Sequence, residues 1–196
     1  MNLELIMLGT GHAMVTKCYN TCFAIRNEEE YFLVDGGGGN GIMQQLEKAE
    51  IPYNKIRNMF VTHGHTDHVL GVVWMIRKVA ALMNAGKYDG DFNIYCHDEV
   101  KEMLKVFCNM SLTKKLLKAM EERINIIEVK DDDKVNACGM KFNFFDIHST
   151  KTKQFGFLSI LPNGKKIVCL GDEPYNEMNR KYMDNCDLLL SEAYKQ

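Results

Sequence analysis

Three prolines, one tryptophan and six histidines in 196 residues leave little rigid punctuation and few candidate metal-ligating imidazoles. No apolar run approaches the roughly 18 residues that a membrane span requires. The amino terminus, MNLELIML, has no basic leader, and the expectation is a cytoplasmic protein without membrane association. Neither sign of charge dominates: 24 Lys and Arg oppose 26 Asp and Glu, a formal net charge of −2. A global basic field for nucleic acid is therefore missing, and RNA is not the favoured partner. Cysteine is present seven times, an odd number without a CxxC pair, which points to buried reduced thiols rather than disulfides or a zinc knuckle. Repeats and low-complexity tracts are also lacking, so residues 1–196 are read as a single domain.

What is present alternates between strand-like and helix-like stretches. LELIML, NTCFAIR and YFLVDG read as strands, with the polar NEEE as a turn between the last two. GIMQQLEKAEI has helical spacing and is closed by Pro52. RNMFVT is a short buried strand, and VLGVVWMIRKVAALM an apolar helix beginning near Val69. FNIYCH is a strand, DEVKEMLKVFCNM and LTKKLLKAMEER are amphipathic helices, and INIIEV, MKFNFFDIH, FGFLSILP and KKIVCLGD are strands. Asn163 and Gly164 mark a hairpin turn, NEMNRKYM a short helix, and DLLLSEAY a last buried strand. Strands flanked by helices, with hairpins among them, imply a layered α/β architecture.

Half of the histidines lie in one stretch, THGHTDH, residues 62–68. It falls where the strand reading ends and the helix reading begins, at a strand's carboxyl end, where sites on α/β sheets tend to lie. Read as a loop turned by Gly64, it can aim His63, His65 and His68 to one side. Imidazoles with the carboxylate of Asp67 suit zinc, manganese or iron. The plainer reading, in which Thr66 or Asp67 caps the helix, leaves three histidines in a histidine-poor chain unexplained. His148 ends an apolar run and Asp172 follows one. Alone, the first is more often a core or edge residue and the second a helix cap. GGGG, Gly36 to Gly39, lacks the lysine of a phosphate-binding P-loop and is read as a tight turn. Asp35 before it is a candidate brace for the histidine loop. His12 is open between substrate contact and a solvated turn, and His97 is read as structural or exposed.

THGHTDH resembles the HxHxDH signature of the metallo-β-lactamase-fold hydrolases, and LGTG, VDGGGG, FDIHST and CLGDEP match further stretches in the expected order. The resemblance covers essentially the whole chain and is strongest to the branch that holds ribonuclease Z and cyclic phosphodiesterases. It implies an α/β, four-layer αββα sandwich with one or two divalent metal ions, most often zinc, with manganese or iron as alternatives. It also implies that His63, His65 and His148 bind one metal, that Asp67 and His68 bind the second, that Asp172 bridges both, and that Asp67 is catalytic. Two such ions about 3.5–4 Å apart polarise a substrate oxygen and share a bound hydroxide.

Members of the family usually continue beyond the stretch matching LLLSEAY with further histidines, so the reading expects a chain truncated at its carboxyl end, lacking the fold's last elements and weakly active as it stands. No basic, glycine- and proline-rich arm appears between His68 and His148. The leading expectation is a metal-dependent hydrolase acting on a phosphodiester of a small or nucleotide-like substrate. The alternatives are a transfer-RNA 3'-processing endonuclease and a metal-binding scaffold or sensor without catalysis. A homodimer is compatible with the sequence.

Overall fold

The computed structural model describes residues 2–192, which form two compact units, Met1–Glu128 and Val129–Gln196. In the first unit the elements are β1 (Leu3–Gly9), β2 (Cys22–Asn27), β3 (Glu30–Val34), α1 (Gly41–Lys48), β4 (Ile56–Val61), α2 (Thr66–Asn84), β5 (Phe92–Cys96), α3 (Asp98–Ser111), α4 (Lys114–Arg123) and β6 (Ile124–Glu128). The strands lie in one sheet in sequence order. β1, β2 and β3 pair antiparallel, while β3, β4, β5 and β6 pair parallel. Strands β3 and β4 are apolar on both faces toward their carboxyl ends, as strands buried on both sides are: Phe32, Leu33, Met59, Phe60 and Val61 are all fully buried. On one face Leu33, Met59, Val61 and Ile94 pack with Ile42 and Leu46 of α1 and with Val69, Val72, Met75, Ile76 and Val79 of α2.

The turn after β3 presses directly on α2. Gly36 N donates to His68 O at 2.9 Å, and Gly71 N donates to Gly37 O at 2.8 Å. A Cβ at Gly71 would lie 1.7 Å from Gly36 O, so only glycine permits this approach. Because α2 begins at Thr66, the expectation of a helix starting near Val69 is corrected. Thr66, Asp67 and His68 form its first turn, and His65 is the N-cap residue.

In the second unit the elements are β7 (Lys134–Ala137), β8 (Met140–Asp146), β9 (Phe155–Ile160), β10 (Lys166–Cys169), α5 (Arg180–Met183) and β11 (Leu188–Leu190). They form a five-stranded sheet in the order β11, β10, β9, β8, β7, antiparallel except for the parallel pair β10 and β11. The hairpin at Asn163 and Gly164 is present, with Gly164 at φ +82° and Lys165 N donating to Asn163 Oδ1 at 3.1 Å. Strand β7 was not foreseen, because KVNA is short and half polar. Its turn into β8 is built by Cys138 and Gly139 at φ +50° and +68°, a pair of left-handed residues of the kind two-residue hairpins need. The helix expected over NEMNRKYM divides into a 3₁₀ turn, Glu177–Asn179, and the four-residue α5. The last strand is confined to three residues, and Ala193 and Tyr194 of the expected strand lie outside the described residues. Phe145, Ile147, Val168, Leu170, Tyr182 and Met183 form this unit's apolar cluster, with the Phe145 and Tyr182 rings stacked at 3.9 Å.

All seven cysteines are free thiols, and five of them are buried. Burial raises Cys96 to about 12 and Cys108 to about 11. Burial, reinforced by the negative charge of Asp35, pushes Cys22 higher still. These groups stay protonated at neutral pH and poorly nucleophilic.

Two outcomes are expected. With a thiol-reactive dye at pH 8 the native protein should label first at the exposed Cys18, and Cys22, Cys96 and Cys108 should react only after denaturation. Gly71→Ala should lower stability in urea unfolding by about 1–3 kcal/mol or more, since the new methyl overlaps a backbone oxygen.

Candidate metal centre

Asp35 stands at the end of β3 in the left-handed region, φ +58°, and is 3% exposed. Its carboxylate gathers the next strand's loop. Oδ1 accepts from Thr62 N at 2.9 Å. Oδ2 accepts from Thr62 Oγ1 at 2.8 Å and lies 2.8 Å from His68 Nδ1. Thr62 Oγ1 is also 2.9 Å from His63 Nδ1.

The proton positions follow from this chain. The threonine hydroxyl donates to the carboxylate, so it can only accept from His63, whose Nδ1 must carry a hydrogen. An ionised carboxylate only accepts, so His68 Nδ1 carries one too. In both rings the lone pair is then on Nε2, which leaves that nitrogen available to a metal, with the tautomer fixed by a hydrogen bond at the other nitrogen. Sequence reading anticipated the brace by Asp35 but gave no role to Thr62, although it opens the motif.

The Nε2 atoms meet further donors. His63 Nε2 is 3.0 Å from His65 Nδ1, close to the about 3.3 Å expected for two nitrogens on one tetrahedral ion with bonds of about 2.0–2.1 Å. His68 Nε2 is 3.6 Å from Asp67 Oδ2. His63, Asp67 and His68 are buried and His65 is exposed. Three imidazoles and a carboxylate in this arrangement fit zinc, manganese or iron. The expected loop is half right: Thr62 to His65 are irregular, whereas Asp67 and His68 are carried by α2. The helix has no side-chain cap, so Thr66 and Asp67 do not serve as one.

The glycine run is a pinned turn. Tyr19 Oη lies 2.8 Å from both Gly36 O and Gly39 O, which share its one hydrogen, and Gly38 N donates to Asn20 Oδ1 at 3.2 Å. Burial raises Tyr19 to about 12, so it remains a donor. His12 is exposed, its Nδ1 accepting from Met14 N at 3.2 Å. His97, 1% exposed, is the N-cap residue of α3, so the exposed half of its expectation does not hold.

In the second unit, β8, β10 and β11 run in one direction, so the loops following them leave the same end of the sheet. His148 follows β8 at φ +61°, exposed, with its N donating to Asp146 Oδ1 at 2.7 Å. Asp172 follows β10, and its N donates to Gln154 Oε1 at 3.2 Å. No helix begins at Pro174. The 3₁₀ turn starts after Asn176, whose side chain accepts from Met178 N at 3.0 Å, so the capping alternative for Asp172 has no helix to cap.

The family described as anti-Pycsar protein Apyc1 matches residues 3–193. Ribonuclease Z of Thermococcus kodakarensis is 26% identical over 239 residues, covering 97% of this chain and 72% of that protein. Among solved structures, the metallo-β-lactamase fold protein YhfI of Bacillus subtilis superposes with a TM-score of 0.75 at 16% identity, over 95% of this chain and 70% of that one. A diphosphatase of the PhnP family gives a TM-score of 0.72 at 17% identity, over 96% and 73%. The fold expected from the sequence is thereby established as the metallo-β-lactamase fold.

Asp35→Asn keeps the size of the side chain but replaces one accepting oxygen by a donor. It should weaken zinc retention about 10–100-fold, read by competition with a chromophoric chelator. Unchanged retention would remove Asp35 from the metal centre.

Proposed function

We infer that this chain, which belongs to the family of the anti-Pycsar protein Apyc1, is a metal-dependent hydrolase that cleaves a phosphodiester of a small or nucleotide-like substrate. The observation that carries the reading is the buried Asp35–Thr62 network, which holds His63 and His68 in the metal-binding tautomer. A core histidine needs no such preparation. The names of the similar proteins agree with phosphorus–oxygen chemistry, a ribonuclease and a diphosphatase.

The proposal assigns His63, His65 and His148 to one ion, Asp67 and His68 to a second, and Asp172 to both. A bound divalent ion would supply Lewis acidity and lower the pKa of water toward about 7. The protein's part is to hold the donors and to move the proton. Asp67 suits the second role. Buried beside His68 in the first turn of a long helix, its carboxylate can accept the proton of an attacking water. In this assignment Asp67 both orients water and touches an ion.

A second reading, a ribonuclease Z-like endonuclease, is favoured by the similarity to the Thermococcus protein over 97% of this chain. Between His68 and His148 the described residues form the rest of α2, the helices α3 and α4 and four strands, and most of the interval's basic residues, among them Lys101, Lys105, Lys114, Lys115 and Lys118, belong to helices rather than to a separate arm. The small-substrate reading is therefore preferred.

The purified chain should hold one or two zinc, manganese or iron ions and hydrolyse bis-p-nitrophenyl phosphate. Chelation should abolish the activity and added zinc or manganese restore it. Asp67→Asn should lower kcat by about 100- to 10,000-fold, with metal content reported alongside. A metal-loaded chain inert on every phosphodiester tried would leave the scaffold reading. Cleavage of precursor transfer RNA in preference to small diesters would select the endonuclease.

A further inference from the structure

We propose that Gln154 is a positioning residue that sets the two candidate ligands of the second unit, His148 and Asp172; the proposal rests on the metal-centre reading above. Gln154 precedes β9 and is fully buried. Its side chain lies between the two loops that carry those ligands. Oε1 accepts from the backbone N of Asp172 at 3.2 Å. Nε2 points to Ser149 Oγ at 3.5 Å, the long limit of a hydrogen bond, on the residue next to His148. The backbone O of Gln154 accepts from Ile147 N at 3.0 Å, on the other side of His148.

Ser149 is itself fixed from the Asp172 side. Its Oγ donates to Glu173 Oε1 at 2.6 Å and accepts from Lys151 N at 3.1 Å. One planar amide thus joins the β8 loop to the β10 loop, and Ser149 with Glu173 closes a second link between them. From a third direction Asn179, buried in the same unit, donates from Nδ2 to Ile147 O at 2.8 Å.

These loops need an external hold. His148 at φ +61° and Gly171 at φ +56° are both left-handed, so neither candidate ligand sits on regular secondary structure that would orient it. Glutamine suits the position because it offers an acceptor at one corner and a donor at the other. A residue needed only to fill the core would have no use for two opposed polar ends, and a buried amide that loses its partners is costly. Partners that orient metal ligands in this way commonly change affinity by about 10–100-fold when removed.

The test uses the full chain loaded with zinc, with zinc retention measured against a chromophoric chelator and thermal unfolding measured on the metal-free protein. Gln154→Met, of similar length and without donors or acceptors, is expected to weaken retention about 10–100-fold. Ser149→Ala, which spares the Asp172 contact, is expected to weaken it less. A purely structural role predicts a lower unfolding temperature of the metal-free protein with zinc retention unchanged, and that result overturns the proposal. If Gln154→Met does not fold, unchanged retention in Ser149→Ala overturns it equally. The underlying reading fails separately: if His148→Ala and Asp172→Ala hold zinc as the unmodified chain does while His63→Ala does not, the second unit supplies no ligand.

Discussion

The carboxylate of Asp35 is the constraint on which the candidate centre depends. It is buried, yet it receives Thr62 N, Thr62 Oγ1 and His68 Nδ1 within 2.9 Å. Its left-handed backbone costs on the order of 1–3 kcal/mol. Hydrogen bonds to a charged group contribute about 1.5–3 kcal/mol each, so three of them outweigh the strain. Losing the carboxylate would orphan buried donors and release both histidine tautomers together. It is therefore a structural and a chemical constraint at once, and the two cannot be separated by a side chain of different charge.

Around this residue, the packing of the glycines explains how a helix and a sheet edge come close enough to share one network. Gly36 and Gly71 bring backbone against backbone, and Gly36 N and Gly71 N are satisfied across the contact. A larger residue at either position would lift α2, and with it Asp67 and His68, away from Asp35. The hydroxyl of Tyr19 secures the same turn, its one hydrogen shared between Gly36 O and Gly39 O. The run of four glycines is thus explained by approach and turning alone, without a phosphate.

What could be read in the sequence was what is local. HxHxDH, the strand before it and the apolar helix after it lie in one continuous stretch, and Asp35 could be suspected because it ends a strand beside the glycine turn. The start of α2 was misplaced because Thr66, Asp67 and His68 are polar, and apolar periodicity begins only at Val69. The structure shows why they are nonetheless helical: His68 N and Val69 N both donate to His65 O, so the first turn closes without a side-chain cap. β7 was illegible because KVNA, though it alternates, is only four residues long and carries two small or modest apolar side chains, its pairing being imposed by the Cys138–Gly139 turn. Gln154 carried no signal, since its role exists only through contacts with residues 5 and 18 positions away in sequence.

The two units hold their candidate ligands in different ways. In the first, His63, Asp67 and His68 are buried, and strand, helix and network fix them before any ion arrives; this is preorganisation, and it keeps the ordering cost of binding low. In the second, His148 leaves 45% of its side chain exposed on a left-handed residue and is steadied by neighbours rather than by its own element. A donor of that kind can adjust to an ion's coordination at small cost, whereas the buried ring of His63 cannot turn without breaking its bond to Thr62. Rigidity is therefore concentrated where the tautomer must be fixed, and adaptability is left to the donor whose backbone position is set by Gln154 and Asp146. If these residues hold an ion as proposed, metal selectivity by geometry would fall to the first unit, because only fixed donors discriminate between ions by size and coordination.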